Sequence, residues 1–197
     1  MHLLFNHPKI NNKKEEKGLS LIESAMVLAL AATVTAGVMF YYQAASDSNK
    51  TQAAISEVMS ATSAINGLYI GQSNYSGLTA SVLKNSSAIP ENYKKGDQIM
   101  NPFGGDLTVG AAENTTAFGY HLTLDKLPKS ACISLATLNL GTSAAGYGIG
   151  VNTPNGVTGF TGLSTNGGKA TAITPSEAAG ANGCTDGNGN KVTYFMK

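Results

Sequence analysis

Tryptophan and arginine are both missing from the 197 residues, so every basic side chain is a lysine. Charge of either sign is scarce at 13%, and the formal balance is +1. A chain so poor in cations has no basic face with which to neutralise phosphates, which argues against nucleic acid as a partner. Proline is missing between Pro8 and Pro90, and no charge falls between Glu23 and Asp47. Nothing in that interval breaks a helix or opposes entry into lipid. Only two cysteines occur, Cys132 and Cys184, and only three histidines. That is too few for an ordinary four-ligand zinc site beyond the first 18 residues, where His121 alone could join the pair.

What is present is an apolar run with one misplaced charge. Leu19 to Gln43 is long enough to span a bilayer. Glu23 lies four residues inside it, where a lone carboxylate costs roughly 2.5–3.5 kcal/mol at a bilayer centre and calls for a partner. An ordinary secretory signal does not fit, because the run is too long for its apolar region and contains Glu23. A plain single-span anchor fits the length and the preceding lysines, yet leaves Glu23 without a purpose.

Lys17-Gly18 followed by Leu19-Ser20-Leu21-Ile22-Glu23 resembles the processing site of type IV prepilins. The long leader and a first mature residue of Leu resemble the type IVb branch. The similarity extends over residues 19–72, the Asn101-Pro102-Phe103-Gly104-Gly105 turn, Cys132 to Thr137 and Lys191 to Lys197. It is weakest over residues 150–191. The resemblance implies a leader at residues 1–18, cut after Gly18 by a prepilin peptidase that also methylates the new Leu19 terminus. It implies that Glu23 pairs with the Leu19 amine of a neighbouring subunit. It further implies a self-polymerising subunit, held in the inner membrane and then exported as a surface fibre. Its assembly partners would be an inner-membrane platform, ATPases, a secretin and minor pilins. Bundling with other pili, bacterial aggregation and attachment to host cells follow from the same resemblance. A minor pilin or a pseudopilin of a type II secretion system is the alternative.

The rest of the chain suggests an α+β head. Three segments are expected: the leader at 1–18, an apolar helix at 19–47 and a head at 48–197. One helix should run over residues 20–70, roughly 75 Å at 1.5 Å per residue. Its second half is amphipathic, with Ile55, Val58, Met59, Thr62, Ile65, Leu68 and Tyr69 on one face, and Gly71 is a stop. Residues 72–100 read as a loop with a short helix near 79–84. Strands are expected at 106–110, 117–124, 147–151 and 191–196. Phe118, Tyr120, Leu122 and Leu124 alternate on one face, and His121 points to the other as a surface residue. Pro128 opens a helix carrying Cys132, and Thr174-Pro175-Ser176-Glu177 is a capping box. Residues 152–168 read as a surface loop, and residues 151–169 and 180–191 as exposed variable surface.

The even cysteine pair of an exported chain reads as a disulfide, with two separate buried thiols as the other reading. No spaced set of residues supports catalysis, and none calls for a cofactor. Gly148-Ile149-Gly150 lacks the context of a nucleotide loop. Asp186-Gly187-Asn188-Gly189-Asn190 lacks the closing Glu of a calcium loop. Without residues 1–18, nine lysines face ten acids, a net of −1. Near-neutral charge favours self-association.

Overall fold

The computed structural model describes residues 15–197, with side chains described from Ser20 onward. Most of the leader expected at residues 1–18 lies outside the described residues. Helix α1 (Glu15–Leu68) runs 54 residues without a break. Alanine and unbranched side chains favour it, and no proline interrupts it. It ends just before Gly71, whose φ of +81° is the left-handed conformation that stops a helix. The chain divides into two units, Met1–Ala45 and Ser46–Lys197, and each is described by itself.

In the second unit α1 buries Ala54, Val58, Ala61 and Ile65 completely. Their spacing of four, three and four places them on one stripe. The expected stripe is partly wrong: Met59 and Leu68 are 56% and 49% exposed. The contact face is turned toward Ala54 and Ala61, because bare methyl groups let the helix approach the sheet closely.

The other elements are α2 (Ala80–Lys84), β1 (Lys94–Lys95), β2 (Gln98–Met100), β3 (Asp106–Ala111), β4 (Tyr120–Leu127) and α3 (Lys129–Ala136). They are followed by β5 (Ala144–Ile149), β6 (Thr161–Ser164), β7 (Gly167–Lys169), α4 (Pro175–Ala178) and β8 (Asn190–Met196). The strands form one antiparallel sheet in the order β1-β2-β3-β4-β8-β5-β7-β6. The last strand of the chain is therefore a central one. Leu122 pairs with Tyr194 and Leu124 with Val192, while Tyr147 and Ile149 flank the same residues from β5. These side chains make the main core with the buried face of α1.

Period-two alternation sends the intervening residues to the opposite face. There the sequence expectation fails. His121 is buried rather than exposed, and Thr123 and Thr193 join their hydroxyls at 2.9 Å. Phe118 precedes β4 and joins this second face, where Phe195, Val151 and Val157 are also buried. Phe160 packs at 5.1 Å from Phe195, and Phe118 at 4.9 Å. The segment expected as surface loop thus contains a cover for the sheet as well as β6 and β7. Glycines make room for it: a methyl group on Gly146 would overlap the Phe160 ring, and one on Gly148 would overlap Val151.

Cys132 on α3 and Cys184 after α4 form a disulfide, with Cα atoms 6.0 Å apart across 52 residues. Closing such a loop is worth about 4 kcal/mol on the chain-entropy account. The Tyr194 hydroxyl donates to the Leu135 carbonyl at 2.7 Å, tying α3 to β8. The capping box at α4 is present, with Thr174 and Glu177 each bonding the other's backbone N–H.

Two buried ionisable groups oppose each other. Both carboxyl oxygens of Glu57 are buried with no hydrogen-bond partner among the described residues, and burial pushes that carboxyl up to about 8. Burial pushes the His121 ring down to about 4, partly offset by the Gly110 backbone and the Glu113 charge. A raised carboxyl binds its proton more tightly when folded, so its stabilising effect is lost as pH climbs from 4.5 to about 8. A lowered imidazole does the reverse, losing stability as pH falls from 6.5 toward 4. The two slopes cancel below about pH 6.5, and Glu57 acts alone above it. Denaturation of the detergent-solubilised chain should show falling stability between pH 6.5 and 8, at up to about 1.4 kcal/mol per pH unit. Glu57→Gln should abolish that fall, and an unchanged slope would count against the assignment. Gly146→Ala should cost about 1–3 kcal/mol through overpacking; a change under about 0.5 kcal/mol would show that Phe160 is not held against the sheet.

Candidate assembly surface

Every described side chain from Ser20 to Ala45 is exposed. The large apolar ones stand well out, with Leu21 at 70%, Phe40 at 74% and Tyr41 at 79%. A helix that is apolar on all sides must be covered by lipid or by other helices. Among the described residues α1 is the helix long and apolar enough to cross a membrane. Three of its hydroxyls are satisfied by the helix itself. Ser24 donates to the Leu21 carbonyl at 2.9 Å, Thr33 to Leu30 at 2.9 Å and Thr35 to Ala31 at 2.7 Å. Such back-bonding satisfies a hydroxyl inside an apolar medium.

Glu23 has no such device. It lies exposed on this helix, and Gly18 and Leu19 belong to the same helix about one turn before it. The four ion pairs among the described residues are all in the head: Lys84–Asp97, Lys94–Glu91, Lys129–Asp186 and Lys169–Glu177. The site residues named from the sequence therefore fall into two places. Gly18, Leu19 and Glu23 cluster at the start of α1, whereas Cys132 and Cys184 meet in the head.

The turn at Asp186 is held by Lys129, whose ammonium bonds the carboxylate at 2.9 Å and keeps it below its usual range. Lys169 donates to both oxygens of Glu177 at 2.7 and 2.8 Å, and Thr174 adds its N–H and hydroxyl. Those bonds, Lys169 first, bring Glu177 down to about 2. Asn190 on β8 accepts from the Thr185 N–H at 2.7 Å and donates to the Leu127 and Thr185 carbonyls. The carboxylates of the C-terminal region thus serve its own structure. Sequence reasoning overlooked the Phe40-Tyr41-Tyr42 run. Three successive aromatics where an apolar stretch ends were the available signal, since such rings favour a membrane interface.

A family model described as Bundlin matches residues 43–197. Two curated relatives are each 69% identical over 191 residues, covering 96% of this chain and 98% of their own length. Both are named the major structural subunit of bundle-forming pilus, one from Escherichia coli O111:H- and the other from Escherichia coli O127:H6. The crystal structure of a type IV b pilin from Salmonella typhi superposes with a TM-score of 0.56 at 16% identity. It covers 73% of this chain and 97% of that one, which speaks for the fold. Long helix, antiparallel sheet and disulfide-closed C-terminal region together form the type IVb pilin fold, and the chain belongs to the bundlin family of structural, non-enzymatic pilins.

Proposed function

We propose that this chain is the major structural subunit of a bundle-forming pilus, a fibre exposed on the bacterial surface. Its identity of 69% to such subunits, across 96% of the chain, carries the reading. Before assembly the apolar part of α1 anchors the precursor in the inner membrane. A prepilin peptidase removes residues 1–18 after Gly18 and methylates Leu19. The platform, ATPases, secretin and minor pilins of a pilus machine then move subunits into the fibre. The finished fibres bundle, aggregate the bacteria and attach them to host cells.

Within the fibre the Glu23 carboxylate meets the charged Leu19 amine of a neighbour. An unpaired buried charge costs several kcal/mol, so this pair selects one axial register among copies. Leaving one partner of a buried pair alone costs about 3–5 kcal/mol. Glu23→Gln should therefore be inserted, processed and disulfide-bonded normally, while sheared fibre falls by more than about tenfold. Wild-type fibre yield from that variant, seen by electron microscopy and immunoblot, would contradict the pairing.

A further inference from the structure

A groove of about 550 Å³ opens beside the second half of α1. Its floor is Ser56, Ser60, Ser63 and Gly67, its apolar margins are Met59 and Leu68, and residues 86–88 form the facing wall. Two features of this groove have no use among the described residues. Met59 and Leu68 leave about half of their surface in water. Gly67, near the end of α1, has nothing among the described residues within 4 Å of the place a side chain would take. A glycine inside a helix costs about 1 kcal/mol relative to alanine, and no contact among the described residues requires it. No charged side chain lines the groove.

We propose that this groove receives the Phe40-Tyr41-Tyr42 ridge of a second copy of the chain, with Tyr41 at its centre. The inference rests on the reading of the chain as a polymerising pilin. A second copy is the occupant because the same helix carries both the groove and the apolar surface that copies must cover in a fibre. The ridge is 74%, 79% and 74% exposed across its three residues. In a precursor these rings suit the edge of a bilayer, and on leaving lipid they need new cover. The chemistry matches: Met59 and Leu68 provide apolar flanks for a ring, and the serine floor provides partners for a tyrosine hydroxyl.

The test uses the full chain assembled into fibres by its own machinery. Both native cysteines are in the disulfide and none is free, so introduced thiols report alone. Tyr41→Cys with Ser63→Cys, and Tyr42→Cys with Ser60→Cys, are oxidised in sheared fibres and run without reductant. At least one pair should give a ladder of linked subunits that either single variant lacks. Ser63→Phe, which fills the groove, should leave the disulfide-bonded precursor intact and reduce fibre by about tenfold or more. Wild-type fibres that contain the chain, with no ladder from either pair and full yield from Ser63→Phe, would overturn the inference alone. Linkage of Ser63→Cys to a different protein would also overturn it. Wild-type fibres lacking the chain would instead overturn the functional reading beneath it.

Discussion

The apolar surface of α1 between Ser20 and Ala45 has no cover among the described residues, and that constraint governs the protein. Its exposed side chains include Leu21, Ile22, Met26, Val27, Leu28 and Leu30. At about 25 cal/mol per Å² of apolar area, such a helix cannot remain in water. On the proposed function, lipid answers the need before assembly and other copies answer it afterwards. Glu23 would then make the two answers unequal, a cost in lipid and matched beside a neighbour's amine. The same surface would anchor the subunit and select its position among copies.

The head meets a different demand, which is to stay one shape while many copies press on it. One sheet carries two apolar faces. α1 covers the first through Ala54, Val58, Ala61 and Ile65. The chain's own residues 151–160 cover the second, seating Phe160 against Phe195 over Gly146 and Gly148. The C-terminal strand lies between β4 and β5, so the sheet is complete only when the last residues pair. Cys132–Cys184 ties α3 to the segment after α4, and the Tyr194 hydroxyl ties α3 to β8. High glycine content, which reads as looseness, here permits close packing.

Local signals were legible in the sequence, and relations between distant segments were not. The length of α1 follows from a proline-free run rich in helix formers that ends just before Gly71. The capping box at Thr174 and Glu177 and the C-terminal strand are also local, and they appear as expected. The short β1 and β2 went unread because two- and three-residue strands carry no periodicity. His121 was read as exposed because alternation tells which face a residue takes, not whether that face is covered. The cover comes from residues thirty and more positions later, whose Gly-, Thr- and Asn-rich composition resembles solvent-facing loop. The face of α1 was misjudged for a related reason: large side chains mark an apolar stripe, but close approach to a sheet is achieved by Ala54 and Ala61. Of the proposed assembly residues, Glu23 stands out as a charge in an apolar run, whereas Gly18 and Leu19 come with the resemblance to the prepilin processing site. The groove beside Ser60 and Ser63 needed three dimensions, since small residues carry no signal until a wall stands opposite them.

Fibres sheared from the cell surface, with the N-terminus of their main subunit determined by intact mass and sequencing, test the central claim most directly. The account predicts that this subunit is the present chain beginning at a methylated Leu19, so that a terminal amine lies one helical turn from Glu23. Fibres whose main subunit is another protein, or this chain still carrying residues before Leu19, would contradict it.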